Sequence, residues 1–396
     1  MVRSRTAFVI LLLIIEFLDE LVYGAREAAW PLLRSDLQLT YAQVGMLLGL
    51  PGIASTLIEP LLGVLGDLGK RRALILGGGL VFALALFVSA ISRTYGWLLM
   101  GFVALSPASG AFVSLSQATL MDLAPTSRAQ NMARWTLAGS LGVVLGPLAL
   151  TLALALGGSW RITLAGGAAL AMMIVLASTR FPFGRVRDET SPQVDFGQGL
   201  KDVVRALSRG EVLRWLTLLR FADLMLDVFL GYLALYLVDA ANIDPAQASA
   251  AAAVWTGFGL LGDFLLIPLL RHVSGLRYLR FSAVAELALL LAFLLTVPFP
   301  GKLLLLALLG LLNAGWYSIL KAQLYATMPG RSGSVLAVDN LFGLVGALIP
   351  WGLGVVAGRW GLEPAMWVLA LGPLALLIGL PRRSSPSFSS FSAENG

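Results

Sequence analysis

Apolar runs of about 20 residues recur along the chain, separated by charged or Pro/Gly-rich breaks, at 7–30, 41–65, 73–92, 95–121, 132–156, 161–181, 211–239, 246–270, 278–297, 302–327, 334–357 and 363–380. A helix needs that length to cross roughly 30 Å of hydrocarbon while satisfying its own backbone hydrogen bonds. The pattern predicts about twelve transmembrane helices, an all-α integral membrane protein. The longest break, 182–210, divides them into an N-terminal bundle over 1–181 and a C-terminal bundle over 211–383. Inside that break Phe196, Leu200, Val203, Val204 and Leu207 fall at helical spacing, with Lys201, Asp202 and Arg205 between them. The segment reads either as an amphipathic helix on the membrane surface or as a solvated linker. The Ser-rich tail, 384–396, is expected to be disordered. Glu16, Asp19 and Glu20 interrupt the first run and no small-residue cleavage site follows it, so the run is expected to be a retained span, not a cleaved signal.

Composition agrees with lipid as the solvent. Of 396 residues, 58% are hydrophobic and 13% charged, against roughly 25% charged in soluble globular proteins. With no cysteine, thiolate metal sites, disulfides and cysteine nucleophiles are excluded. If the N-terminus is cytoplasmic, most basic residues, from Arg3 and Arg5 through Lys70, Arg71 and Arg72 to Arg382 and Arg383, fall on the inside. The outside ends keep Arg26, Arg34, Arg93, Arg161, Lys302 and Arg359. The positive-inside rule then puts both termini in the cytoplasm of a cell (plasma or inner) membrane. The formal charge of +6 faces anionic lipid, so it calls for no nucleic-acid partner.

The halves repeat at a shift of 204 residues. Phe17 and Asp19 fall on Phe221 and Asp223, Ala42 and Gln43 on Ala246 and Gln247, Glu59 on Asp263, Pro125 on Pro329 and Gly142 on Gly346. Intramembrane acids and loop prolines seldom coincide by chance. The repeat implies two pseudo-symmetric six-helix bundles that rock about a site near the bilayer midplane.

In its loop motifs the chain resembles the major facilitator superfamily. The loop after the second span, Gly63-Val64-Leu65-Gly66-Asp67-Leu68-Gly69-Lys70-Arg71-Arg72, approximates the superfamily signature, one residue short after the aspartate. Gly142, Gly146 and Pro147 are similar to the helix 5 motif of its antiporters. The run from Trp30 to Met46, with Met328-Pro329-Gly330-Arg331, looks like the fosmidomycin-resistance-like branch, whose name suggests a phosphonate anion as substrate. The resemblance implies that Asp67 helps hold a cytoplasmic gate shut near the start of the eleventh span, with Arg71 or Arg72 reaching Asp122. Glu59, Gly63 and Asp67 stack on one helix face. Glu59 and Asp263 read equally as gating or as proton-relay groups.

A charge at the bilayer centre costs about 2.5–3.5 kcal/mol on insertion scales, so each is a functional candidate. The first span carries Glu16, Asp19, Glu20, Tyr23 and Glu27, spaced so that most line one face. That stripe is expected to face an aqueous cavity where crowded carboxyls exchange protons. Arg220, Asp223 and Asp227 answer from the seventh span. Lys321 on the tenth reads as an exchangeable counter-ion to a first- or seventh-span acid, or as a snorkelling interfacial lysine. Glu286 and Asp339 are expected to make interhelical hydrogen bonds. Trp255 and Trp316 are candidates to stack a ligand. Gly77-Gly78-Gly79 lacks the Lys-Ser/Thr of a phosphate loop and reads as helix packing. His272, the lone histidine, sits in a basic loop.

These features predict a secondary transporter with no cofactor, no metal and no ATP, working as a monomer on protons (or another coupling ion) and a small-molecule substrate. Helix-embedded acids outnumber Arg26, Arg220 and Lys321, which favours a cationic or neutral substrate exported against protons. An anion would have to be held where those three bases converge. Proton symport inward is the alternative, then a transport-dead receptor. An enzyme is disfavoured by the lack of a metal triad or nucleophile–base pair.

Overall fold

The computed structural model describes residues 2–65, 70–123, 128–181, 183, 209–270, 272–296, 298–327, 339 and 342–381. Asp67, most of the 182–210 linker and the 384–396 tail lie outside the described residues. Among the described residues, twelve helices follow the hydrophobic runs: α1 (Val2–Ala28), α2 (Tyr41–Leu65), α3 (Arg71–Ile91), α4 (Tyr95–Met121), α5 (Arg128–Ala155) and α6 (Trp160–Ser178) in the first half. In the second half come α7 (Gly210–Ala240), α8 (Pro245–Leu269), α9 (Gly275–Leu295), α10 (Phe299–Ala326), α11 (Phe342–Trp360) and α12 (Leu362–Gly379). Eleven are long and apolar enough to cross a membrane by composition; α1 carries more charge than that measure admits, and it is the helix that furnishes most of the site. A short helix, Trp30–Leu37, opened by Pro31, caps α1 on the side away from the termini.

Each half packs around its own core. α1 lies along α5, α3 touches α4 and α6, and in the second half α8 lies along α10 while α7 touches α10 and α12. The α1–α5 approach is close because α5 presents glycines there. A Cβ at Gly142 or Gly146 would meet the carbonyl oxygens of Phe17 or Leu21. The halves meet through α2 with α11 and α5 with α8, pairs that the 204-residue repeat interchanges, and along α1 with α7.

Four helix irregularities position polar groups. π-helical turns at Gly110–Ser114 in α4 and at Leu224–Val228 and Tyr236–Ala240 in α7 each squeeze in an extra residue and re-aim the side chains beyond it. α10 breaks after Asn313 at Gly315, whose φ of 76° is left-handed and open to glycine at no steric cost.

Lys302, in the first turn of α10, is buried, and Nζ donates to Tyr236 Oη (3.1 Å) and the Phe293 carbonyl (2.8 Å) over both rings. The fold corrects two expectations. Glu286 makes no interhelical hydrogen bond; it is fully buried and neither carboxyl oxygen has a partner among the described residues. Trp316 stacks no ligand, because it is fully buried and its Nε1 donates to Ser282 Oγ at 2.8 Å. Asp339 does reach across helices, to Arg220 and Lys321.

Candidate functional site

Helical spacing puts Asp19, Glu20, Tyr23 and Arg26 of α1 on one face, and that face lines a central cavity of about 660 Å³ between the halves. α2 contributes Ser55 and Glu59, α4 Ser106 and Ser109, α7 Asp227 and α8 Trp255. Ser109 Oγ donates to Asp19 Oδ2 at 2.9 Å. Glu59 is hydrogen-bonded to Ser55 and lies against Gly110, where the π-helical turn of α4 begins and where a Cβ would collide with its side chain. The Ser55 and Ser106 hydroxyls are 2.8 Å apart.

The stripe does not run into the cavity at either end. Glu16 is buried between α1 and α5, hydrogen-bonded to Trp135 and close to Gly139. Glu27, also buried, accepts from Arg26 (2.7 Å) and from Trp30 Nε1 (2.9 Å). The Arg26 guanidinium is thereby neutralised, and it lies over the Tyr23 and Phe102 rings at 5.3 and 5.5 Å.

On α7 the spacing of Arg220, Asp223 and Asp227 suggests one row, and the π-helical turn at Leu224–Val228 breaks it. Asp223 pairs with Arg220 at 2.9 Å, while Asp227 turns to the cavity and accepts from Tyr23 Oη at 3.4 Å. Arg220 also reaches Asp339 at 3.1 Å, and Lys321 pairs with the other Asp339 oxygen. Lys321 thus pairs directly with Asp339 of the eleventh hydrophobic run, and its charge also acts on Asp223 of α7. Arg26, Arg220 and Lys321 do not converge: the first lines the cavity and the other two share Asp339.

Of the residues read as gating groups, Gly142 and Gly146 seat α5 on α1, and the Pro147 carbonyl accepts from Ser249 Oγ of α8 at 2.7 Å. Arg71 is buried at the start of α3, and Arg72 donates to the Thr179 carbonyl at 2.8 Å. Gly63 sits near the end of α2, and Asp122 near the end of α4. Asp263 lines a smaller cavity beside α5 and takes the Gly315 backbone N–H.

The side away from the termini is held closed by residues that sequence reasoning leaves unassigned. Arg34 pairs with Asp239 at 3.0 Å and stacks over the Tyr41 ring at 4.2 Å, and Tyr41 Oη donates to Asp239 at 3.1 Å. The second π-helical turn of α7 carries Asp239 to this meeting. Around it Gly45 and Gly49 of α2 abut the α11 backbone at Pro350 and Ala347, and Tyr232 Oη donates to the Pro350 carbonyl at 2.7 Å. Arg34, in the short helix Trp30–Leu37, and Asp239, at the end of α7, fall within one residue of the 204 shift, but the sequence spacing by itself does not show that they meet.

A family model for the Major Facilitator Superfamily matches residues 12–350. The chain is 24% identical to a protein of Bacillus subtilis (strain 168) named Uncharacterized MFS-type transporter YfnC, over 95% of this chain and 94% of that one. It is 23% identical to the Fosmidomycin resistance protein of Escherichia coli (strain K12), over 96% and 94%. Its fold is similar to that of the nucleoside transporter NupG, with a TM-score of 0.75 and 17% identity over 94% of this chain and 98% of that one. It is also similar to a bacterial homolog of the human lysosomal transporter Spinster in its inward-facing, unoccupied conformation, with a TM-score of 0.74 and 16% identity over 97% and 99%.

Proposed function

The chain belongs to the Major Facilitator Superfamily, and from that premise we propose that it is a proton-coupled exporter of a small organic compound, cationic or neutral, working by alternating access. That it is a multi-pass membrane transporter of the secondary kind follows from the family and the fold. The observation that carries the rest is the charge of the cavity wall. Asp19, Glu20, Glu59 and Asp227 face the space, and the one base beside them among the described residues, Arg26, is already neutralised by Glu27. Such a wall attracts cations and protons, and bound cation and bound protons compete for the same carboxylates. An anion would find no free base among the described residues there, since Arg220 and Lys321 are tied to Asp339.

The Arg34–Asp239 latch and the α2–α11 glycine contacts support a closed far side, with the cavity served from the side of the termini. With the termini cytoplasmic, as the distribution of basic residues implies, this is the loading state of an exporter. Substrate displaces protons from the Asp19–Glu20–Asp227 group. The halves then rock, and protons entering from outside displace the substrate.

Flux in proteoliposomes under an imposed pH gradient tests the direction. An inside-acid gradient, in protein oriented with its cytoplasmic face outward, should drive uptake of labelled organic cations. Accumulation driven by the opposite gradient would replace export with symport.

A further inference from the structure

The central cavity shares part of its wall with a second one. Val143 of α5 and Trp255 of α8 line both the central cavity and a cavity of about 180 Å³ between α5 and the α8–α10 pair. Beyond that shared wall Ser140, Thr256, Asn313 and Asp263 line this side pocket together with Gly259, Leu260 and Gly310; the Thr256 hydroxyl and the Asn313 amide already donate to backbone carbonyls, which leaves Asp263 as its one charged group among the described residues. Among the described residues Asp263 has no basic partner; the Gly315 N–H, freed where α10 breaks, is its one donor. The Trp255 indole N–H is buried and, among the described residues, has no acceptor. An unmet buried donor costs about 1–3 kcal/mol, so this wall is complete only when something else supplies an acceptor.

We propose that the side pocket is a second subsite of the transport cavity, and that the substrate class is an elongated dication whose second cationic end sits at Asp263. One basic group lies among Asp19, Glu20 and Asp227, and the connecting chain passes over Trp255, where an acceptor atom in that chain takes the indole N–H. The proposal rests on the cationic reading above and narrows it. Along α8, Asp263 lies eight residues beyond Trp255, roughly 12 Å along the axis at about 1.5 Å per residue, so a chain that passes over the indole must run about that far to reach Asp263. A short diamine held among the first acids falls short of it, and a monocation leaves Asp263 unanswered.

The test is competition by linear alkyl diamines of increasing length against a labelled organic monocation, in purified protein in nanodiscs, each beside the alkyl monoamine of the same length. The affinity ratio of diamine to monoamine should rise with length to an optimum of about tenfold, the scale of one desolvated charge pair. Asp263→Asn should bring that ratio close to one. An ether oxygen placed mid-chain should give a further gain that Trp255→Phe removes. A ratio that stays flat with length in the wild type overturns the subsite whether or not the variants fold, and so does a ratio unchanged in Asp263→Asn. If neither amine competes, the cationic reading itself falls and takes the subsite with it. A monoamine that competes beside a flat ratio overturns the subsite alone.

Discussion

Tyr23 donates a hydrogen bond of 3.4 Å to Asp227, and the two positions are related by the same 204-residue shift that relates the halves. Repeat mates therefore touch on the pseudo-twofold axis, at the floor of the cavity, with α1 supplying the donor and α7 the acceptor. Glu27 and Gly231, the next pair of mates, also approach one another, and a Cβ at Gly231 would lie 3.2 Å from Glu27 Oε2. In the proposed mechanism a substrate cation or a proton arriving at Asp227 alters a contact that spans both halves, which would tie occupancy to their relative position.

Tyr23→Phe removes that contact without changing shape. A net loss of about 1 kcal/mol should shift the equilibrium between closed and open far sides by about fivefold. The native chain has no cysteine, so nitroxides on one introduced cysteine in each half report the shift directly as a change in the distance distribution. An unchanged distribution would show that the Tyr23–Asp227 contact is not part of the coupling.

The Arg34–Asp239 pair is partly exposed, at 31% and 19% of the two side chains, so its loss should cost about 1 kcal/mol or less. Arg34→Gln and Asp239→Asn should each raise the far-side-open population by a few fold. The exchanged pair, Arg34→Asp with Asp239→Arg, should restore it in part. Accessibility of a far-side cysteine to a membrane-impermeant reagent measures all three.

Gly354 of α11 faces the Tyr41 backbone so closely that a Cβ would meet its carbonyl oxygen. Gly354→Leu should leave insertion and expression intact, hold the far side open and abolish flux. Backbone cannot yield as a flexible side chain does, so the block should be far stronger than loss of the Arg34–Asp239 pair. Cysteine accessibility at wild-type level in Gly354→Leu would contradict this.

Glu286 is fully buried with neither carboxyl oxygen paired among the described residues. Replacing an unmet buried polar group by an apolar one is neutral or stabilising, so Glu286→Leu should leave the melting temperature in detergent unchanged or raise it by a few degrees. A marked fall would mean that the carboxyl has a partner in solution.

The twelve spans are legible in the sequence because the bilayer demands a fixed run of apolar residues whatever the tertiary context, and the α1 stripe because helical periodicity alone puts Asp19, Glu20 and Tyr23 together. The illegible part depends on departures from that periodicity. One extra residue in the π-helical turn at Leu224–Val228 separates Asp227 from Arg220 and Asp223, although sequence spacing joins them. Charge alone matches Lys321 to α1 and α7 acids, whereas its direct partner, Asp339, is brought within reach only by the fold. Lys302 reads as a boundary residue by position, yet its stem is long enough to turn inward to Tyr236 and Phe293. Arg34 and Asp239 lie at helix ends, where a charge is ordinary, and only the fold reveals that those ends meet.

The proposed mechanism stands on competition between protons and an organic cation for the α1 and α7 acids. The decisive measurement is substrate-induced proton movement in proteoliposomes, read with an internal pH dye while cationic, neutral and anionic compounds are screened, beside an Asp19→Asn control. A proton signal with cationic compounds that is lost in Asp19→Asn is the expected result. Signals with anions alone, or a cation signal that survives in Asp19→Asn, would contradict the mechanism.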